Sequence, residues 1–349
     1  MKQLKVGLIG TGWWSEKHLK AWSRIPEVQL WALANRSPAK LVDKATEFGI
    51  PPERCFATFK ELLASGIDVV DIVTGPDSHR EYVEAAAKAG VQILCQKPFA
   101  PSLKDAEAMV SVAKSFAVRL MVTENWRWLE PMRIIKSILD EGTLGSIQAV
   151  RYVHSDFYTP RMAPGVALPQ PFFRDMDPFL FFEMGPHWFD TWRYLFGNPM
   201  RVYADLRSIS PHVKGEDSGT VVLSHEGFVG LMDMSWATRQ SLDRPLGKEV
   251  GPVHLERLVI DGKLGSLKLD TLGRITLISE DGMVSTVLHS ETSLDHEESH
   301  FRLQKHFIDA LASGSPFATS GEFTLDTVRL IDAVYRSSKT GQAVAYGSK

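Results

Sequence analysis

Two rhythms of apolar and polar positions run along the chain. Up to residue 123, short apolar runs of strand length alternate with segments whose apolar residues recur at helical spacing. The runs are 4–9, 29–34, 68–73, 92–95 and 120–122. Helices are predicted from Ser15 through Trp22 and over 38–48, 60–65, 79–89 and 102–116. Pro38 opens one helix where its missing N–H costs nothing, and Gly90 closes another. Strand–helix alternation implies parallel strands, right-handed crossovers and helices on both sheet faces. After Arg127 the rhythm changes. A helix over 131–140 puts Met132, Ile135 and Leu139 on one face, and from Ile147 strands dominate: 147–157, 201–209, 220–225, 228–236, 255–261, 266–270, 274–279 and 284–289. Glu226-Gly227, Gly262 and Asp281-Gly282 supply turns between them. Helices over 301–313 and 325–338 close the chain. The expected fold is α/β: a doubly wound parallel sheet over residues 1–123, then an α/β domain over 124–349 built on a large, mostly antiparallel open sheet.

In an open parallel sheet, ligands sit beyond the C-terminal ends of the strands. That rule gathers Gly10–Trp14, Asn35–Ser37, Thr74–His79, Gln96–Pro98 and Glu124–Arg127 on one rim. The first of these follows a strand and opens a helix, Lys5-Val-Gly-Leu-Ile-Gly10-Thr-Gly12-Trp-Trp-Ser15-Glu-Lys-His18. Gly10 permits a tight turn, Gly12 lets a pyrophosphate approach the backbone, and the helix start offers N–H groups to phosphate. Ser15 stands where the dinucleotide fingerprint has its third glycine, so the first domain reads as an imperfect Rossmann domain. The second strand ends at Asn35-Arg36-Ser37-Pro38, without the acid that usually holds the adenosine ribose. Arg36 and Ser37 could meet a 2′-phosphate, which favours NADP. Equally, Arg36 could be a solvated loop residue of an NAD site.

Composition narrows the class. The chain has 349 residues, 44% of them hydrophobic and 23% charged, ordinary values for two globular domains. A net charge of −3 gives no reason to expect nucleic acid or an anionic membrane as partner. Cys55 and Cys95 make no disulfide framework, the first 25 residues lack a signal-peptide core, and no apolar run is of membrane-spanning length. A cytoplasmic protein is expected. Nine Trp and eighteen Phe are many for this length, enough for some to line a site.

Two constellations could carry chemistry. Lys97 ends a strand and precedes Pro98, which favours an extended backbone and presents the ammonium at the rim. Glu183-Met-Gly185-Pro-His187-Trp-Phe-Asp190 places His187 and Asp190 three apart on one face of a helix starting near Gly185, with Glu183 ahead of it. Carboxylates flanking an imidazole fix its tautomer and suit a general base. Each taken alone also reads as ordinary structure, a surface lysine and a packed or capping histidine. His296-Glu-Glu-Ser-His300 matches the H-E-x-x-H zinc pattern. Its polar flank from Ser293 reads as a solvated approach to the helix at Phe301, and Glu322 reads as a loop residue, so no metal is expected.

Together these motifs resemble the Gfo/Idh/MocA family (glucose-fructose oxidoreductase, inositol dehydrogenase, rhizopine catabolism) over essentially the whole chain. Gly10-x-Gly12…His18-x-x-Ala21, Thr74-x-Pro76-x-x-His79, Gln96-Lys97-Pro98, Asn125-x-Arg127 with Pro131, Arg174, Glu183-x-Gly185-x-His187-x-x-Asp190 and Tyr335-x-Ser337…Gly341 follow the family's order. The resemblance implies hydride transfer between NAD or NADP and a hydroxyl carbon of a sugar or cyclitol. It makes Lys97 and His187 the catalytic pair, His187 the proton acceptor, and Glu183 the residue that orients or charge-balances the site. It assigns the cofactor to Gly10, Gly12, Trp13, Trp14, Asn35, Arg36, Ser37, Thr74, Pro76, His79, Gln96 and Lys97. It assigns the substrate to Trp14, Lys97, Asn125, Arg127, Tyr152, Phe172, Arg174 and His187. It also implies a homo-oligomer, dimer or tetramer, formed through the second domain's sheet. Gln96 replaces the family's Glu and removes a negative neighbour from Lys97. Glu183 replaces Asp and narrows the pocket toward smaller sugars such as pentoses, as in bacterial aldose-type dehydrogenases. A cyclitol dehydrogenase, a nucleotide-bound regulator without catalysis and, third, a metallohydrolase are the competing readings.

Overall fold

The computed structural model describes residues 3–238, 256–288 and 295–346. The strand ends expected at Leu255 and His289, and the start of the polar flank at Ser293, lie outside the described residues. In chain order the elements begin β1 Leu4–Ile9, α1 Ser15–Ser23, β2 Val28–Ala34, α2 Pro38–Glu47, β3 Cys55–Phe56, α3 Phe59–Ala64, β4 Val69–Ile72, α4 His79–Lys88, β5 Gln92–Cys95, α5 Leu103–Ser115 and β6 Leu120–Val122. Then come α6 Glu130–Asp140, β7 Ile147–Ser155, α7 Leu180–Glu183, α8 Gly185–Phe196, β8 Arg201–Arg207, β9 Ser218–Ser224 and β10 Val229–Ser235. The chain closes with β11 Glu256–Gly262, β12 Gly265–Leu269, β13 Ile275–Ser279, β14 Val284–Leu288, α9 His296–Ser313, α10 Gly321–Thr340 and β15 Val344–Ala345.

Among the described residues β1 to β6 form one parallel sheet in the order β3-β2-β1-β4-β5-β6, the doubly wound arrangement expected from the alternation. Its strands are mostly apolar because helices cover both faces: Ile72, Ile93 and Val122 face one core, Val69, Leu94 and Met121 the other. β7 to β15 form a second sheet in which all pairs are antiparallel except β7 with β10. One face packs on helices so tightly that a Cβ at Gly230 would lie 1.9 Å from the Trp192 ring of α8. The other face leaves Tyr203, Val229 and Leu231 exposed.

The chain divides into two compact units, Met1–Trp128 with Asp295–Arg329, and Leu129–Leu294 with Leu330–Lys349. This differs from a single cut after residue 123, because the chain returns to the first unit. Two forces bring it back. Leu303 and Phe307 of α9 join Val6 and Trp22 in one core cluster. Glu297 and Glu298 pair with Lys17 at 2.6 Å and Arg24 at 2.7 Å on α1. A hydrophobic pattern predicts that α9 is a helix but not which sheet it covers. The four-residue α7 and the short β3 and β15 carry too few periodic positions to be read from pattern.

Candidate active site

In the first unit the glycine turn is set by backbone contacts. Gly10 has φ +96°, donates its N–H to Ala34 O at 3.0 Å, and a Cβ there would lie 2.4 Å from Val73 O. Only glycine fits that position. Gly12 is exposed with no atom within 4 Å of a Cβ, so its side faces open space. No side chain caps the start of α1. An uncapped helix start behind an unobstructed glycine fits a pyrophosphate. Ser15, at the third fingerprint position, is buried and its hydroxyl donates back to Gly12 O at 2.6 Å, so it closes the turn. Trp13 is 66% exposed beside Trp14.

At the end of β2, Asn35 ties its loop to the glycine turn: its amide donates to Thr11 Oγ1, and its carbonyl accepts Ser37 N–H at 3.2 Å. Arg36 is exposed. At the end of β4, Pro76 opens a single turn through Ser78, whose hydroxyl bonds Thr74 Oγ1 at 2.7 Å. His79 is fully buried with its ring nitrogens 2.9 Å from Thr74 O and 3.1 Å from Phe99 O. Burial holds its imidazole below its ordinary range. His79 therefore fastens the Thr74 turn to the segment after Pro98.

A buried polar chain lies beneath Lys97. Gln96 Oε1 accepts Lys97 N–H at 2.6 Å and the Thr123 hydroxyl at 2.9 Å. Its Nε2 donates to His18 Nε2 at 3.0 Å, and His18 Nδ1 bonds Asp71 Oδ2 at 2.8 Å, which also accepts Trp22 Nε1–H at 2.7 Å. Since Gln96 Oε1 receives two donors, its Nε2 is the donor to His18, and the imidazole proton sits on Nδ1. Gln96 thus positions the backbone of Lys97. His18 and Asp71 were legible only as a histidine in a motif and an acid in an apolar run; their pairing across 53 residues needed the fold.

At the end of β6, Asn125 Nδ2 donates to Ser299 Oγ at 2.8 Å and approaches His296 Nδ1 at 3.3 Å. Arg127 donates to Ala318 O at 3.1 Å and lies over Phe323 at 4.4 Å. Both side chains, expected to bind hydroxyls, tie the returning segment to the rim. The H-E-x-x-H segment is no solvated approach: it forms the first turn of α9, capped by Asp295, with Ser299 and His300 buried and Trp14 edge-on to both histidines. Burial lowers His296 to about 4. Glu297 turns away to Lys17, and Glu322 lies in α10, not in a loop. Among the described residues no group of three His, Cys, Asp or Glu is placed to hold a metal ion.

In the second unit Glu183 ends α7 and His187 lies in the first turn of α8, where Pro186 sits as expected. Glu183, His187 and Asp190 are all buried. Glu216 gathers the start of α7: it accepts Phe179 N–H at 3.1 Å, Phe181 N–H at 3.0 Å and the Tyr335 hydroxyl. Burial raises Glu216 above its ordinary range. Arg174 donates to the carbonyls of Met162, Ala163 and Val166 at 3.0, 3.0 and 2.7 Å, so it clamps a loop. Tyr152 is buried in β7, whereas Phe172 is 55% exposed.

Comparison with known proteins agrees with both units. Residues 4–124 match the oxidoreductase family, NAD-binding Rossmann fold, and residues 132–268 match the GFO/IDH/MocA C-terminal domain. The D-apiose dehydrogenase of Rhizobium rhizogenes is 34% identical over 357 aligned residues, covering 100% of this chain and 99% of that protein. The inositol 2-dehydrogenase of Rhizobium meliloti is 25% identical, covering 96% of each. An oxidoreductase from Agrobacterium radiobacter, solved with NAD+, L-tartaric acid and magnesium, superposes with a TM-score of 0.87 at 32% identity, covering 99% of this chain and 98% of that one. No helix among the described residues is long and apolar enough to cross a membrane. Parallel nucleotide sheet, glycine turn and companion open sheet thus coincide with both family matches, and the chain belongs to the Gfo/Idh/MocA family of NAD(P)-dependent oxidoreductases acting on CH–OH groups.

Proposed function

We propose that this chain is a sugar dehydrogenase that oxidises a small aldose, a pentose such as D-apiose or a hexose, to a lactone or keto sugar. The observation that carries the reading is the fixed presentation of Lys97, held at a nucleotide-sheet strand end by Gln96. The full-length likeness to a D-apiose dehydrogenase supports the substrate class. Gly10, Gly12 and the start of α1 would hold the pyrophosphate, with Trp13 and Trp14 alongside, and either NAD or NADP. When bound, the oxidised nicotinamide supplies the hydride acceptor. Lys97 Nζ donates a hydrogen bond to the reacting oxygen, and the His187 imidazole takes its proton as the carbon gives up hydride. Glu183 balances the charge His187 gains.

A panel of pentoses, hexoses and inositols, read by absorbance of reduced nicotinamide with both cofactors, tests the reading. Lys97→Ala and His187→Ala are expected to lose roughly 10²- to 10⁴-fold in kcat while nucleotide affinity holds. Turnover surviving both changes would sink the assignment, and turnover confined to cyclitols would favour the inositol dehydrogenase reading that the Rhizobium meliloti relative supports. The open sheet face with Tyr203, Val229 and Leu231 exposed supports self-association there. Leu231→Lys should then shift the sedimentation coefficient to that of a smaller species, and an unchanged value would exclude this face.

A further inference from the structure

Between α9 and α10 the chain passes through Ser315-Pro-Phe-Ala-Thr-Ser320, a stretch with no ionisable side chain and no periodicity. It lies along β6, the edge strand of the parallel sheet. Thr319 is buried there: its carbonyl accepts Val122 N–H at 2.8 Å and its hydroxyl donates to Val122 O at 2.6 Å. Ser320 forms an antiparallel bridge with Met121. The segment thus supplies partners to an edge that would otherwise lack them.

The Ala318 peptide beside it is gripped at both ends. Its carbonyl accepts Arg127 Nη1–H at 3.1 Å, and its N–H donates to His306 Nε2 of α9 at 2.9 Å. Trp128 packs on the His306 ring with centroids 5.0 Å apart. A backbone N–H only donates, so Nε2 carries no proton and the imidazole is neutral, with its proton on Nδ1. Arg119 holds the start of the same segment, donating to Ala310 O at 2.6 Å and to Ser315 O, with its guanidinium 3.9 Å over Phe317. Arginines keep their charge across the working pH range, whereas a histidine does not.

We propose that His306 is a positioning residue of the rim, an acid-released latch whose neutral ring holds the Ala318 peptide and, through it, Arg127 and the end of β6. The proposal rests on the reading of this rim as the sugar site, where the resemblance assigns Asn125 and Arg127 to substrate. Protonation would set an N–H on Nε2 against the Ala318 N–H, and the two donors must part. Burial is the largest influence on the ring and disfavours its charged form. Asp309, one turn on along α9, favours that form, while Arg127 and Arg119 from the two ends of β6 oppose it. Arg302, one turn earlier on α9, is paired with Glu298 at 3.2 Å. The folded ring therefore takes up its proton less readily than the unfolded chain does near its ordinary value of about 6.5. The latch is closed above that pH and opens as pH falls below it.

The test is hydrogen exchange at the Ala318 amide of the full chain, expressed as protection relative to an unstructured peptide at the same pH. In the unaltered protein, protection should fall about tenfold between pH 7 and pH 5, the equivalent of one hydrogen bond. His306→Gln cannot take up a proton, so its protection should be level across that range, while His79 and His296 still titrate in it and control for general acid loosening. With nucleotide and an active sugar, KM should rise about threefold from pH 7.5 to pH 5.5 in the unaltered protein and stay level in His306→Gln. Level protection in the unaltered protein, which needs no variant, would overturn the latch, as would the same fall in His306→Gln. The same KM ratio in both proteins would overturn its link to the rim. Failure of every sugar in the panel would instead overturn the sugar dehydrogenase reading, and the exchange profile would still decide the latch.

Discussion

Lys97 stands two residues past β5, just beyond the strand ladder, where the Gln96 carboxamide holds its N–H; His187 stands in the first turn of α8. In the first unit, backbone contacts fix the strand ends and the glycine turn: parallel pairing continues from Cys95–Val122 to Thr123, and Gly10 is wedged against Val73 O. In the second, the Glu216 side chain gathers two N–H groups and the Tyr335 hydroxyl at the start of α7. A ladder distributes the constraint over many hydrogen bonds, so removing one side chain leaves it in place. A single half-buried carboxylate concentrates the constraint, and removing it strands its three donors at once.

The sharpest break of this comparison is Gly10→Ala. A methyl group at φ +96° and 2.4 Å from a carbonyl oxygen must move the end of β4 or the turn itself. The left-handed backbone and the overpacking together should cost about 3 to 4 kcal/mol, and nucleotide affinity should fall more than tenfold because the turn no longer closes. Denaturant unfolding and nucleotide titration measure the two effects. If the variant binds nucleotide like the parent, the backbone does not make this rim.

A somewhat smaller loss is expected in the second unit from Glu216→Ala, about 2 to 3 kcal/mol, since the N–H groups of Phe179 and Phe181 lose their acceptor. Glu216→Gln should recover part of it through its remaining carbonyl oxygen. The matching change in the first unit, Thr123→Ala, removes one hydroxyl from a chain whose ladder bonds persist, and should cost only about 1 kcal/mol. Equal costs for Thr123→Ala and Glu216→Ala in the same urea titration would erase the distinction drawn between the units.

The same distinction explains what was legible in the sequence. Strand–helix alternation dictates a parallel sheet, and a parallel sheet dictates its ligand rim, so Gly10, Thr74, Lys97 and Asn125 could be grouped before any coordinates. What each side chain does on that rim was not legible, because the partners are remote in sequence. His18 meets Asp71 across 53 residues, and Asn125 meets Ser299 and Arg127 meets Ala318 only after the chain has returned to its first unit. In the second unit the His187 helix was legible from Gly185 and Pro186. Glu216 was not, since an acid among turn residues has no periodicity to mark the donors it gathers.

The smallest effect falls on His225, a second-unit residue that sharpens the contrast from the acid side. Trp192 Nε1–H donates to His225 Nε2 at 2.9 Å, and the ring stacks on Phe228 at 4.4 Å. Burial lowers its imidazole to about 4, whereas the unfolded chain takes up the proton near the ordinary value of about 6.5. The folded form thus prefers the neutral ring. Its contribution is complete above pH 6.5 and is lost as pH falls toward 4. His79, His296 and His306 are depressed in the same direction in the first unit, so a global melting curve would blend the two units. Amide hydrogen exchange in β9 and β10, which flank His225, isolates the local term. Those amides should open faster at pH 5 than at pH 7, and His225→Gln, which keeps an acceptor for Trp192 but cannot take up a proton, should flatten that difference. The same pH response in both proteins would mean that the Trp192–His225 bond is not what couples this corner of the sheet to acid.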